Sequence, residues 1–338
     1  MEAMNRKGFL KWVWGGMAAA AAGFAGLLIA RDKPKEPSNA LVYNVDDYTK
    51  VDPALIKFKA AGKLTPNIPN LSSLAIGPDG DVYVAGEKAL VRYGADAKEK
   101  ARFVLEGTPD CIAVAPDGGI LLGMRGRVDV LGADGVKTGS WEDLGARGYI
   151  TAIAVNDTDV YVADAGNRVL LRYDRQGKRL GRFDGKHEAN EMAGFVVPSP
   201  YFDVCFDKQG ALWAVNPGKH GLEQYRDNGD LAASWYRPSI ELDGFAGCCN
   251  PIHIAFRSDG LLVTLEKGLS RVKVYSPDQK MLAVVASPDI LGVNVQAAAC
   301  CDIETPLRDL AVDKNNRVLV VHREQGAVLI FEEKEKLA

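Results

Sequence analysis

The stretch VYVADAGNRVLLRYDRQGK, residues 160–178, holds the pattern that decides the fold prediction. An alternating apolar run leads into the turn DAGN, and a second run, VLLRY, ends in an aromatic residue before the turn DRQGK. Short alternating runs separated by turns rich in Gly, Asp and Asn are typical of antiparallel β-hairpins. The stretch therefore predicts neighbouring strands of an antiparallel sheet.

Similar hairpins recur along the chain. They are SSLAIGPDGDVYVA from Ser72, DCIAVAPDGGILLG from Asp110, TAIAVNDTDVYVA from Thr151, FDVCFDKQGALWAV from Phe202, IHIAFRSDGLLVTL from Ile252 and RDLAVDKNNRVLVV from Arg308. A small residue recurs in each first strand, and successive ones are separated by 38 residues (Ala75 to Ala113) to 56 residues (Ala255 to Ala311). Most units continue into a third and a fourth strand. Repeats of this length predict the four-stranded blades of a β-propeller.

The two ends of the repeat region are incomplete. The fragment ALIKFKAAGKL from Ala54 resembles only the outer part of a blade, and the last unit ends at Ala338 before a fourth strand is complete. We expect the N-terminal fragment to supply the missing outer strand of the last blade. Such closure would remove the exposed sheet edges.

The repeats, and residues 160–178 above all, resemble NHL-repeat six-bladed propellers and, in a wider sense, gluconolactonase-like propellers. The resemblance covers about residues 50–338 and implies an all-β, six-bladed fold. Gluconolactonase-like enzymes place a metal-binding Glu in a Glu-Gly-Pro motif of the first blade. This chain has PNLSSLAI there, with Ser73 and no carboxylate, which argues against a lactonase.

The N-terminus predicts the compartment. Residues 12–30 carry no charge, and a run of this length is about what a transmembrane helix needs. Arg6, Lys7 and Lys11 precede the run and predict a short cytoplasmic segment, residues 1–11. We expect an uncleaved signal-anchor and a polar tether over residues 31–49. The alternative is a cleaved signal peptide, for which residues 18–22 could supply the cleavage site.

Composition limits the function classes. With 47% hydrophobic and 25% charged residues in 338, the chain has the mix of an ordinary globular protein. The formal net charge is −3 and no basic block stands out, so no nucleic-acid partner is expected. The propeller, residues 50–338, would be extracytoplasmic, and periplasmic if the source is a Gram-negative bacterium.

Three long loops, residues 185–201, 237–251 and 287–307, are predicted to lie on one face of the propeller. Two register positions, each with one equivalent residue in every blade, are predicted to surround the channel mouth on that face. The first position, at the start of each innermost strand, holds Ser73, Cys111, Ala152, Asp203, His253 and Asp309. The second, at the end of each second strand, holds Gly86, Met124, Asp164, Asn216, Glu266 and His322.

Blades four to six would contribute imidazole and carboxylate groups to this mouth, from Asp203, Asn216, His253, Glu266, Asp309 and His322. Such groups are ligands of zinc, iron or manganese. The alternative is a water-filled polar mouth in which these side chains bond one another. For Asp164 we expect a local role in bracing a turn.

Two pairs of adjacent cysteines lie in neighbouring long loops, Cys248 with Cys249 and Cys300 with Cys301. Cross-loop disulfides, strained vicinal disulfides, and a zinc or iron–sulfur site are all open, and an oxidising compartment favours disulfides. We expect both pairs over the channel mouth, near His253 and Asp309. Cys205 is expected to be an inert buried thiol, and Cys111 a small filler facing the channel.

Three functions follow in order of preference. The first is a membrane-anchored binding or scaffold module that docks a protein, peptide or glycan on the long-loop face. The second is a redox or metal-binding protein that uses the cysteine pairs with the mouth residues. The third is a divergent metal-dependent hydrolase of the gluconolactonase-like kind. No G-x-S-x-G, H-E-x-x-H or G-x-G-x-x-G signature is present, so no catalytic residue is assigned.

Overall fold

The computed structural model describes residues 48–186, 194–247, 249–295 and 305–337. Alternation of apolar and polar residues between glycine-containing turns gives strands throughout these ranges. The strands are β1 (Phe58–Leu64), β2 (Ser73–Ile76), β3 (Val82–Gly86), β4 (Ala89–Tyr93), β5 (Glu99–Val104), β6 (Cys111–Val114), β7 (Ile120–Met124), β8 (Arg127–Leu131), β9 (Lys137–Ser140), β10 (Ile150–Val155), β11 (Asp159–Asp164), β12 (Val169–Asp174), β13 (Arg179–Phe183), β14 (Val204–Phe206), β15 (Leu212–Asn216), β16 (Gly221–Tyr225), β17 (Leu231–Tyr236), β18 (His253–Phe256), β19 (Leu262–Leu265), β20 (Val272–Tyr275), β21 (Met281–Ala286), β22 (Leu307–Val312), β23 (Val318–His322) and β24 (Ala327–Glu333).

The helical elements that lie wholly within the described ranges are single turns, and residues 48–49 are helical as well. Two 3-10 turns span Pro53–Leu55 and Pro217–Lys219, and a one-turn helix, α1, spans Pro288–Leu291. No helix in the described ranges has the length and apolar character needed to cross a bilayer. The spanning helix predicted over residues 12–30 lies outside those ranges, so it stays a prediction.

The strands form six four-stranded antiparallel sheets, which are the six predicted blades. Blades 1 to 5 each use four consecutive strands, from β2–β5 through β18–β21. The sixth blade has the order β22-β23-β24-β1, so its outermost strand comes from the N-terminal side of the chain. Phe58 lies opposite Glu333 and Leu64 opposite Val328 in the β1–β24 pairing. The predicted closure is therefore confirmed.

Apolar side chains between successive blades make the core. One cluster joins blades 3 and 4 through Tyr161 and Phe202, and another joins blades 4 and 5 through Leu222 and Tyr275. Phe58 of the closing strand packs in the cluster shared by blades 5 and 6. Because each blade is packed against its neighbours, the innermost strands are held around one central channel.

Candidate functional site

The innermost strands line a central cavity of about 280 Å³. At its long-loop end the lining includes Ser73, Cys111, Asp203 and Asp309, whereas the opposite end is apolar. That apolar lining comes from the last residues of the innermost strands, Ile76, Val114, Val155, Phe206, Phe256 and Val312. The polar side chains of the channel are thus concentrated at the mouth where the long loops enter.

The small residues that recur in the first strands lie along the channel. Five of them line the cavity, Ala75, Ala113, Cys205, Ala255 and Ala311. The recurring position is therefore part of the channel wall.

Side chains at the first register position tie each blade to the next. Asp309 of blade 6 accepts a hydrogen bond from the Leu74 amide of blade 1 at 3.0 Å. Asp203 of blade 4 accepts one from the Ile254 amide of blade 5 at 2.7 Å. Ser73 of blade 1 accepts one from the Ile112 amide of blade 2 at 3.1 Å. These buried amides would otherwise lack an acceptor at the strand start, so the polar mouth also holds the ring together.

A second contact extends this chain of bonds. The Ser73 hydroxyl donates to Oδ2 of Asp309 at 2.5 Å. Oδ1 of Asp309 accepts the Leu310 amide at 2.7 Å, and Oδ1 of Asp203 accepts the Val204 amide at 2.9 Å. Each oxygen of both carboxylates therefore already accepts at least one bond from the protein.

His253 lies between the two carboxylates. Its Nδ1 is 3.6 Å from Oδ2 of Asp203 and 3.6 Å from Oδ1 of Asp309, distances of ion pairs and not of hydrogen bonds. Neither ring nitrogen of His253 has a hydrogen-bond partner among the described residues. The predicted grouping of Asp203, His253 and Asp309 is present.

Burial and the neighbouring charges shift the pKa of His253 in opposite directions. Burial alone would lower the pKa of His253, but the carboxylates of Asp203 and Asp309 outweigh it and raise that pKa above its ordinary value. Burial, together with the nearby Asp203, raises the pKa of Asp309. The group therefore favours a charged imidazole, with two N–H donors, over a neutral one.

The two channel cysteines are disfavoured as thiolates. Burial raises the pKa of Cys111 well above its ordinary value, with Asp110 and Asp309 adding to the effect. Burial likewise raises the pKa of Cys205. A thiol held in its protonated form is a poor nucleophile and a poor metal ligand. This agrees with the filler role predicted for Cys111 and the inert thiol predicted for Cys205, although Cys205 is only partly buried.

Basic and aromatic side chains surround the mouth beyond this group. Tyr201 packs edge-on against the His253 ring, with the centroids 6.4 Å apart. Lys267, which is buried, lies 5.1 Å from the centre of the Tyr201 ring and donates to the Ser199 hydroxyl at 3.1 Å. Arg308 has a buried Nε without a hydrogen-bond partner among the described residues. Cationic donors are therefore available beside His253.

Sequence reasoning missed Lys267 and Arg308. Arg308 stands directly before Asp309, and Lys267 directly follows Glu266, so each is one residue from a predicted position.

The second register position does not contribute to the mouth as predicted. Glu266 is fully buried and pairs with Arg271, at 2.9 Å, and with Lys273. The Asn216 side chain donates to Glu223 at 3.0 Å. These partners lie in or next to the third strands, so both side chains turn into their blades. Asn216, Glu266 and His322 do not line the channel cavity, and His253 does not line it either but lies 3.6 Å from the lining residues Asp203 and Asp309.

His322 and Asp164 also have local roles. Nδ1 of His322 accepts the Gln325 amide at 3.3 Å, and burial lowers the pKa of His322. Asp164 accepts the amides of Tyr149 and Asn167 at 2.9 and 3.1 Å, the bracing role expected of it. Both residues stabilise turns on the long-loop face.

The hypothesis of a metal site built from all six residues is not supported by this geometry. Among the described residues, no group of three or more His, Cys, Asp or Glu side chains is arranged to hold a metal ion. The physical reason is that Glu266 and Asn216 are engaged elsewhere. Cys248, Cys300 and Cys301 lie outside the described residues, so their pairing stays a prediction, and Cys249 is fully buried in the loop before blade 5.

Comparison with known proteins concerns the fold. No family model matches the sequence, and no curated protein matches it. Solved structures do match, among them a streptogramin B lyase with a TM-score of 0.57 at 13% identity, over 84% of this chain and 100% of that one. The chain is a β-propeller. The NHL-repeat resemblance is not confirmed by any family match.

Two further solved structures give the same result. Virginiamycin B lyase from Staphylococcus aureus aligns with a TM-score of 0.55 at 12% identity, over 81% of this chain and 99% of that one. The WD40 β-propeller domain of Doa1 aligns with a TM-score of 0.52 at 13% identity, over 79% of each chain. At such identities the likeness extends to the architecture alone.

The His253 group predicts a pH dependence of stability. Because the folded pKa of His253 is raised above its unfolded value of about 6.5, the stabilisation is complete below that pH and is lost as the pH rises through the folded value. In urea denaturation at a series of pH values, we expect the stability of the unaltered protein to fall more steeply as the pH rises above about 6.5 than that of the His253→Gln variant, whose residue 253 cannot titrate. Asp203, Asp309, Arg308 and Tyr201 are the ionisable groups facing the ring. If stability depended on pH equally in the two proteins, the raised pKa assigned to His253 would be wrong.

Proposed function

We propose that the protein is a binding module that holds an acidic group of a protein or peptide partner at the long-loop mouth of its channel. Surplus hydrogen-bond donors at this mouth are the observation that carries the proposal. β-Propellers commonly act as binding modules, and a fold by itself does not specify a ligand. The argument therefore depends on the chemistry of the mouth.

Donors at the mouth outnumber the acceptors left open to a ligand. All four carboxylate oxygens of Asp203 and Asp309 accept bonds from the protein. In contrast, His253 has an unpartnered Nε2, and Arg308 has an unpartnered Nε, among the described residues. Buried donors without acceptors are costly, so such groups in a native protein point to a missing partner. An acidic group would supply the acceptors.

Lys267 adds a third donor on the same side. Its ammonium donates to one hydroxyl, that of Ser199, and no carboxylate pairs with it among the described residues. An ammonium has three N–H donors, so capacity remains for a ligand. The Tyr201 ring beside it is buried in the core and holds the ammonium in place from one side. A carboxylate would accept hydrogen bonds from the remaining N–H groups of Lys267.

We further propose that this module is anchored to a membrane by residues 12–30, with the propeller outside the cytoplasm. The support is the uncharged run of these residues and the basic residues before it. Long loops entering neighbouring blades on one face would then present the mouth to extracytoplasmic partners.

Titration of the full chain with hexaglutamate tests the acidic-ligand proposal. We expect saturable binding that weakens at high salt, because charge attraction is screened. The double variant Arg308→Gln with Lys267→Gln should weaken binding at least about tenfold, since charged hydrogen bonds each contribute about 1.5–3 kcal/mol.

Two controls make that result specific. Lys208→Gln removes an exposed lysine from the opposite face and should leave binding unchanged. Hexaglutamine, which has the same length without the charge, should not bind. Equal binding of the two peptides, or no loss in the double variant, would refute the proposal. Binding of a neutral glycan instead would replace it with the glycan alternative.

A further inference from the structure

A second cavity, of about 220 Å³, lies on the face opposite the long loops, between blades 4 and 5. Its walls include Trp213, Trp235 and Phe256, and it is bordered by the turns that join the strands of these two blades. The volume is below the range of about 300–1,000 Å³ typical of sites for drug-sized ligands. The occupant must therefore be small.

Three aromatic rings form part of the walls of this cavity. The Trp213 and Phe256 rings have centroids 6.0 Å apart and are tilted by 47°. Trp235 packs on Tyr275, with centroids 4.9 Å apart, so its position is fixed by the core. Trp213 and Phe256 are both only partly buried. Two partly buried rings and a third that the core holds in place thus line one cavity, and we call them the aromatic cage.

The polar groups of the cavity favour positive charge. The Trp213 indole N–H already donates to Oδ2 of Asp207 at 2.9 Å, so Trp213 offers the cavity its ring and not its donor. Asp259 also lines the cavity. Both aspartates lie within the turns that border the cage.

Nearby cations do not cancel this negative charge. Arg257 pairs with Asp259 at 2.7 Å, but it also pairs with Glu333 at 2.8 Å. Lys208 is the lysine among the lining residues and is exposed. The charged residues that line the cavity are Asp207, Asp259 and Lys208, with a formal charge of −1, and the charge of Arg257 is shared between Asp259 and Glu333. A single monovalent cation would neutralise the region.

We propose that this cavity binds an alkylated ammonium group, such as the trimethylammonium head of a choline-type compound. A cation over aromatic faces is attracted by the ring quadrupoles, by about 0.5–2 kcal/mol according to its desolvation. A fully alkylated ammonium has no N–H donors. It therefore needs no hydrogen-bond acceptors from the cavity, whose aspartates already accept bonds from the protein. The site is separate from the channel mouth and does not depend on the acidic-ligand proposal.

Choline and 3,3-dimethylbutan-1-ol test the role of charge, because they have the same shape and differ in the central atom. Tryptophan fluorescence of the full chain should change saturably with choline. The neutral alcohol should bind about tenfold more weakly, corresponding to 1.4 kcal/mol. This comparison uses the unaltered protein, so it does not depend on any variant folding.

Variants then locate the site. Trp213→Leu should raise the Kd for choline at least about tenfold, whereas Trp213→Phe, which keeps a ring face, should retain most of the affinity. Trp141→Leu removes a partly buried tryptophan that packs on Tyr173 away from the cavity, and should leave choline binding unchanged.

Several outcomes would overturn the proposal. They are equal affinity for choline and the alcohol, equal loss in Trp213→Leu and Trp141→Leu, and no saturable binding at concentrations that fill a site with a Kd of about 1 mM. Binding of a neutral sugar without choline binding would assign the cage to saccharides instead.

Discussion

Replacing Asp309 by alanine should lower the free energy of unfolding by about 3–5 kcal/mol, the loss typical of breaking a buried charged pair. The substitution removes the acceptor of the Ser73 hydroxyl and of the Leu74 and Leu310 amides. It also leaves His253 with one carboxylate neighbour instead of two. Urea denaturation of the full chain at about pH 6, where the imidazole is charged, measures the effect.

Asp157→Ala is the matched control for this variant. Asp157 is exposed in the turn between β10 and β11, and its replacement should change stability by less than about 0.5 kcal/mol. A loss below about 1 kcal/mol in Asp309→Ala would mean that water or a rearranged neighbour replaces the carboxylate. The blade-to-blade role assigned to Asp309 would then be wrong.

Replacing Phe58 by alanine should cost about 3–5 kcal/mol, as for other buried aromatic residues. Phe58 is 2% exposed, begins the closing strand β1 and packs among side chains of blades 5 and 6. A cavity there weakens the packing that holds β1 on β24. Chemical denaturation gives the loss, and light scattering should also show aggregation, because a detached β1 would expose the edge of β24.

Val104→Ala provides the comparison. Val104 ends the outermost strand of blade 1 and is 89% exposed, so its truncation should change stability by less than about 0.5 kcal/mol. If Phe58→Ala were as mild, the closing strand would contribute little to stability. The inference that β1 completes the ring energetically would then fail.

The fold could be predicted from the sequence because its signals are local. Each hairpin carries its own alternation and its own turn, so six repeats can be recognised without knowledge of distant contacts. The incomplete ends at Ala54 and Ala338 then implied closure by pairing, which β1 and β24 confirm. The first register position was also predictable, since the starts of innermost strands converge at the axis of any propeller.

The rest of the site depended on side-chain direction. Glu266 and Lys267 follow β19 directly, and their side chains point in different directions. Glu266 turns into blade 5 toward Arg271, while the next residue, Lys267, reaches Tyr201. The sequence pattern identified the correct strand end but not which of the two residues faces the ligand side. The Trp213 cage was missed because its three rings come from two blades.

The pairing of β1 with β24 has a consequence for biosynthesis. Synthesis proceeds from the N-terminus, so residues 58–64 are made before the other strands of the propeller, whereas their partner, residues 327–333, is made after all of them. Phe58 and Leu64 therefore stay unpaired while the other strands are produced. A chain cut short before β24 could not close its ring, and the unburied Phe58 and Leu64 of β1 would remain a target for chaperones and proteases. Ring closure thus distinguishes a propeller with all its strands from one that lacks β24.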